Sequence, residues 1–205
     1  MLNYKQKYVV QDFETSGLNL RYSQPWELSW IICQGDKVIS RHENFIDIPN
    51  LNLSPLIRKL TNFDEARYNR LKKPPQEVWN EAKKLIYDPE YIIIGQNFIK
   101  FDTPIMGVLA EICEEKIDYS FINRIYDTRP LALAHREGLE VPRSGVDLSW
   151  QYKILNDRSL KAKVSQGVLL KFLDIEHDVS RLHSGIYDVE MTFEIFKKLK
   201  RCLKF

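Results

Sequence analysis

Cysteine is scarce in this chain, and a marked excess of charge of either sign is missing. There are 3 cysteines in 205 residues, Cys33, Cys113 and Cys202, far apart and odd in number. No C-x-x-C pair occurs, which argues against a zinc ribbon or finger and against a disulfide framework. Reduced intracellular thiols are the plain reading, and with them a cytoplasmic protein. The start, "MLNYKQKYVV", lacks the apolar core of a signal peptide, and no apolar run is long enough to span a bilayer, so no membrane partner is expected. The 30 Lys+Arg nearly balance the 28 Asp+Glu, for a net charge of +2. That balance does not announce a nucleic-acid binder, but a basic rim can coexist with an acidic pocket. Repeats, low-complexity segments and an interdomain linker are absent as well. The length suits one domain over 1–205, and an apolar share of 44% suffices for a core.

Strand signals come first, at about 7–13, 27–33 and 37–46, the last two separated by the turn pair Gly35-Asp36. Ser54-Pro55 can open a short helix, and 55–73 is a polar, basic stretch. A helix begins near Pro75. "YIIIG" reads as a strand covered on both faces, "DTPIMGVLAEIC" as a helix, "RIYDT" as a last short strand and "RPLALAHREG" as a helix. Residues 139–160 look irregular. "LKAKVSQGVLLKFLDI" and "SGIYDVEMTFEIFKKLKRCLKF" read as helices, the first weakened by Gly167. An antiparallel meander followed by alternating helix and strand predicts an α/β fold, a mixed sheet with helices on its faces.

The stretch that asks for a reason is "VVQDFETSGL". Side chains alternate along a strand, so Asp12 and Glu14 project from one face. Two carboxylates there repel each other and lose solvation. Either the strand has a wet edge, or a divalent cation cancels the charges. Further acids lie downstream. Asp102 follows "YIIIG" and a short loop, where it can cap a helix or bind metal. Asp188 lies in the first turns of the last helix, where it can simply complement the helix dipole. His183 lies just before that helix.

In combination, "DFETSGL", "GQNFIKFD" and "HSGIYDVEMTFEIFKKL" resemble the DEDDh 3′→5′ exonuclease family of the ribonuclease H-like superfamily. Softer matches are "QPWELSWI", "KLTNFDEARY" and "IYDTRPLAL", so the resemblance covers nearly the whole chain. The spacing around Asn97 is similar to the exonuclease I branch. The resemblance implies a ribonuclease H-like mixed five-stranded sheet flanked by helices. It implies a single-strand 3′→5′ exonuclease, DNA favoured over RNA, releasing nucleoside 5′-monophosphates. It also implies two Mg²⁺, with Mn²⁺ able to substitute, held by Asp12, Glu14, Asp102 and Asp188. Hard carboxylate oxygens suit those ions, and two of them about 4 Å apart can clamp a phosphodiester. His183 is implied as general base, its reference pKa near 6.5 suiting the task; Tyr187, adjacent to Asp188, is expected to pack. Thr15, Gly17, Leu18, Trp26 and Asn97 are implied around the terminal nucleotide, with Leu18 as a wedge and Trp26 either stacking on a base or lying in the core. A polymerase or another replication or repair protein is a possible partner. Two departures accompany the match. Asn62 stands where many members have glycine, which predicts a different substrate loop. The chain ends right after the last helix, without the extra domains that encircle the strand in bacterial exonuclease I, which argues against expecting high processivity. An exoribonuclease, a short-oligonucleotide hydrolase and a non-catalytic binding module are the rival readings.

Overall fold

A computed structural model describes residues 5–142 and 145–205. Five strands form one sheet in the order β3-β2-β1-β4-β5: β1 (Lys7–Thr15), β2 (Pro25–Gln34), β3 (Lys37–Phe45), β4 (Tyr91–Gly95) and β5 (Ile125–Asp127). The first three make the expected antiparallel meander, and β4 and β5 join parallel to β1. Gly35, at φ +57, supplies the left-handed residue that the β2–β3 turn needs. The helices are α1 (Pro55–Leu60), α2 (Glu65–Leu71), α3 (Pro75–Ile86), α4 (Asp102–Ile112), α5 (Thr128–Arg136), α6 (Leu148–Asn156), α7 (Gln166–Phe172) and α8 (Gly185–Leu203). This is the mixed α/β sheet flanked by helices that the sequence predicts. Among the described residues, no helix is long and apolar enough to cross a membrane.

Alternation along β1 divides the core in two. Tyr8 and Val10 join Ile31, Ile94, Leu131, Val189, Phe193 and Phe196 on the face covered by α5, α7 and α8. Val9 and Phe13 join Trp30, Ile93, Trp79 and Met106 on the face covered by α3 and α4. Asp12 and Glu14 continue the even-numbered series, so they emerge on the α8 face, at the carboxyl end of the central strand. In open α/β sheets this end of the strands is where ligands bind.

Three expectations need correction. Residues 139–160 are not all irregular: α6 occupies 148–156, while 143 and 144 lie outside the described residues. Its Gln151 explains the placement, because its amide accepts from Asp127 N–H and donates to the Ile125 carbonyl, each at 2.8 Å. The side chain thus acts as a sixth strand against β5, a pairing no local pattern announces. The helix expected from Leu160 begins only at Gln166, because Glu137 Oε1 accepts the main-chain N–H groups of Lys161 and Ala162 and holds them outside the helix. Finally, the polar stretch after α1 holds a second helix, α2, capped by Asp64, which accepts from Arg67 N–H at 2.9 Å.

Candidate active site

A cleft of about 280 Å³ opens at the carboxyl end of β1. Asp12 and Glu14 reach it from the strand and Asp188 from the first turn of α8. One carboxylate oxygen from each of the three lies within 4.8 Å of the others. Among the described residues, Asp12 and Glu14 have no side-chain hydrogen bond and no ion pair. Asp188 Oδ2 accepts from His183 N–H at 2.9 Å, whereas its Oδ1 is buried without a partner. Asp102 stands behind them, 1% exposed, and does not line the cleft. It does not cap α4 through its side chain, as the simpler sequence reading allowed. Its Oδ1 instead accepts Phe13 N–H at 3.0 Å and anchors α4 to β1.

Electrostatics follow from this crowding. Burial, and then repulsion from Asp188, raises Asp12 to about 8. Burial raises Asp188 to about 7 against the opposing hydrogen bond from His183. Glu14 and Asp102 are pushed well above the carboxylate range by burial, then by Asp12. Glu27 is an acid the sequence reading passed over. Register places it opposite Glu14, fully buried on β2, where burial lifts it to about 8. Five acids meet here, and among the described residues no Lys or Arg is ion-paired to any of them. Such a cluster must be held protonated or neutralised by cations. Hard oxygen donors, one of them an orphaned buried atom, fit divalent magnesium or manganese. The trio of Asp12, Glu14 and Asp188 offers converging carboxylate oxygens, and Asp102 stands within electrostatic reach of Asp12.

His183 lines the same cleft on the turn before α8. Its φ of +66 is uncommon for a non-glycine residue and is held by the bond to Asp188. Tyr187 packs as expected: its hydroxyl accepts Asp178 N–H at 2.6 Å and the Arg181 guanidinium covers its ring. Thr15, Gly17 and Leu18 line the cleft, and Leu18 is 85% exposed. Ile57, Leu60, Thr61, Phe101, Gln96 and Gln166 also line the cleft. Those six were not singled out in the sequence; Leu60 and Thr61 do fall inside the "KLTNFDEARY" match. Gln166 Nε2 donates to the Asp188 carbonyl (2.7 Å) and Thr192 Oγ1 (3.0 Å), tying α7 to α8.

Two expected contact residues lie elsewhere. Trp26 is buried among Phe45, Phe63 and Tyr68, its ring stacked on Phe45 at 6.2 Å, so it belongs to a core and not to a stacking surface. Asn97 does not line the cleft. At φ +62 it turns the chain after β4, and its N–H donates to Asp127 Oδ1 at 2.9 Å. Asn62 has φ +50, the left-handed conformation glycine adopts freely and asparagine tolerates.

No protein-family model matches the sequence. A DNA polymerase III of PolC type from Pediococcus pentosaceus is 34% identical over 128 residues, 62% of this chain and 8% of the polymerase. Solved structures of exonuclease I superpose over 98% of the chain. A product-bound form gives a TM-score of 0.73 at 16% identity, and the Escherichia coli enzyme with a dA16 oligonucleotide gives 0.72 at 16%. This chain spans 45% and 42% of those chains, respectively. Motifs, sheet order and superposition agree that this chain has the ribonuclease H-like fold of exonuclease I.

Proposed function

We propose that this chain is a single exonuclease domain that hydrolyses single-stranded nucleic acid, DNA foremost, from the 3′ end and releases nucleoside 5′-monophosphates. The observation that carries the reading is the convergence of Asp12, Glu14 and Asp188 within 4.8 Å in the cleft that His183 lines. Structural neighbours bound to product and to an oligonucleotide support it, as does the polymerase relative. Two divalent ions, Mg²⁺ or Mn²⁺, held by Asp12, Glu14, Asp188 and Asp102 would offset phosphate charge and make water a better nucleophile.

The chain's own residues do the rest. Leu18, Leu60 and Ile57, which line the cleft, offer apolar surface to the base and sugar of the terminal nucleotide. Thr15 and Gly17 bring the backbone close to the strand end. The His183 imidazole accepts a proton from water as its oxygen bonds to phosphorus. The bond from phosphorus to the 3′-oxygen of the preceding nucleotide breaks, and that oxygen takes up a proton. One nucleoside 5′-monophosphate leaves, and the shortened strand keeps a 3′-hydroxyl. The polymerase relative favours a second role, in which the domain trims strands for a replication or repair polymerase in the cytoplasm.

The test is incubation with single-stranded DNA and RNA of matching sequence, labelled at the 5′ end, in Mg²⁺ or Mn²⁺. A ladder of shortened products is expected, faster on DNA. Absence of shortening in either metal refutes the exonuclease reading, and a faster ladder on RNA transfers it to an exoribonuclease.

A further inference from the structure

The start of α8 carries Asp188, and the turn just before the helix carries His183, yet that start has no ordinary lock. Ser184 precedes the helix without a side-chain capping bond. What meets the first helical residue, Gly185, is the side chain of Glu27. A methyl group built on Gly185 would lie 2.1 Å from Glu27 Oε1 and 2.9 Å from Ser29 Oγ. Ser29, fully buried, donates its hydroxyl to Glu27 Oε1 at 2.7 Å and holds that carboxyl in place. Both residues project from the α8 face of β2, opposite Glu14 and Asp12. Gly185 does not have a positive φ, so its lack of a side chain serves this close approach and not an unusual backbone conformation.

We propose that Glu27 is a positioning residue: braced by Ser29, its carboxyl group occupies the space a side chain at Gly185 would need, and so fixes where α8 begins and where the His183–Asp188 turn sits. The inference deepens the exonuclease reading and rests on it for its kinetic consequences. A displacement of about 1 Å in such a turn can cost about 10²-fold in rate.

Four variants test it: Glu27→Gln, Glu27→Ala, Gly185→Ala and the double variant Glu27→Ala/Gly185→Ala. The readouts are kcat, the affinity for a fluorescent single strand in Ca²⁺, the melting temperature, and the His183 imidazole resonance by NMR. Gln keeps the shape and can accept from Ser29, so Glu27→Gln stays within about threefold of wild type in kcat. Glu27→Ala loses about 10²-fold in kcat with affinity within about threefold, and its His183 resonance shifts. Gly185→Ala clashes and loses a similar amount. In the double variant the new methyl enters the space Glu27 vacated, which restores about tenfold over Glu27→Ala and returns the His183 resonance towards its wild-type position. Equal damage from Gln and Ala overturns the proposal, because charge or ligation would then be the role. A double variant no better than Glu27→Ala also overturns it. The NMR arm needs no turnover, so a wild type without nuclease activity refutes the exonuclease reading while the recovery of His183 still supports the seat.

Discussion

The acid at the end of β5 and the acids that converge from β1 and α8 show opposite ways of holding carboxyl groups inside a protein. Asp127, at the end of β5, is fully buried, and its oxygens accept three main-chain N–H groups: those of Asn97 and Arg129 on Oδ1 and that of Ile99 on Oδ2. Those bonds oppose burial and leave it at about 6. Asp12, Glu14 and Asp188, by contrast, have one side-chain hydrogen bond among the three and an orphaned oxygen on Asp188. A buried acid supplied with donors by its own chain is a fastener, here joining β5 to the turn after β4. A buried acid left short of donors is waiting for a partner from solution. Burial alone does not separate the two; the count of donors does.

The largest expected effect breaks the comparison at the acids themselves. Asp12→Asn and Asp188→Asn should each reduce turnover on the order of 10³-fold or more, while the metal-free variants melt no lower than metal-free wild type. Asp127→Asn should do the reverse. An amide there places NH₂ against a main-chain N–H, so a loss of about 1–3 kcal/mol is expected, with turnover per folded molecule largely kept. Denaturant titration beside steady-state kinetics tests both, and a stability loss in Asp12→Asn as large as that in Asp127→Asn would erase the distinction.

Next comes His183→Ala. Loss of a general base costs about 10²–10⁴-fold in kcat and leaves the affinity for a single strand in Ca²⁺ nearly intact. Near wild-type turnover would move the base elsewhere, and the packed Tyr187 hydroxyl is already engaged by Asp178.

A third, smaller effect is in stability against pH. Asp12 at about 8 and Asp188 at about 7 lie above their unfolded values near 3.9. Between about pH 4 and 8 the folded state therefore holds more protons than the unfolded one, and stability falls as pH rises through that window. Metal-free protein should melt progressively lower from about pH 5 to about pH 8. Saturating Mn²⁺ should flatten the trend, adding about 2.7 kcal/mol at about 100 times its Kd. A melting curve indifferent to both pH and metal would count against these acids as the cation site.

The smallest effect concerns the walls. Leu18→Ala should weaken single-strand affinity by about 1 kcal/mol with no change in stability, since Leu18 is 85% exposed. Trp26→Phe should leave affinity unchanged and lower stability, because Trp26 packs against Phe45 and Phe63. Anisotropy titrations of both variants decide which side chain meets the strand.

Which acids converge near the cleft was partly readable from local order. The D-x-E pair, the acid after "YIIIG" and H-x4-D before the last helix are short-range patterns, and alternation on a strand puts Asp12 and Glu14 on one face. Residues placed by pairing across the sheet were not readable. Glu27 becomes a neighbour of Glu14 only through the β1–β2 register, and Gln151 becomes an edge partner of β5 only once α6 has docked. Gln166 and Gln96 carry no signal of their own; they line the cleft because α7 and the end of β4 arrive there. Trp26 illustrates the opposite error, since a large aromatic near a motif can serve a base or a core, and only its neighbours decide.

The sequence by itself determined the periodicities, the order of the five strands, and the pairing of Asp12 with Glu14 on one face, because each is set within a few residues of chain. Tertiary structure alone decided which acids are left without donors, which glycine must stay bare against Glu27, and which apolar side chains face the cleft. Those properties depend on distances between segments remote in sequence, and hydrogen-bond satisfaction and steric exclusion act only across such distances once the sheet has closed.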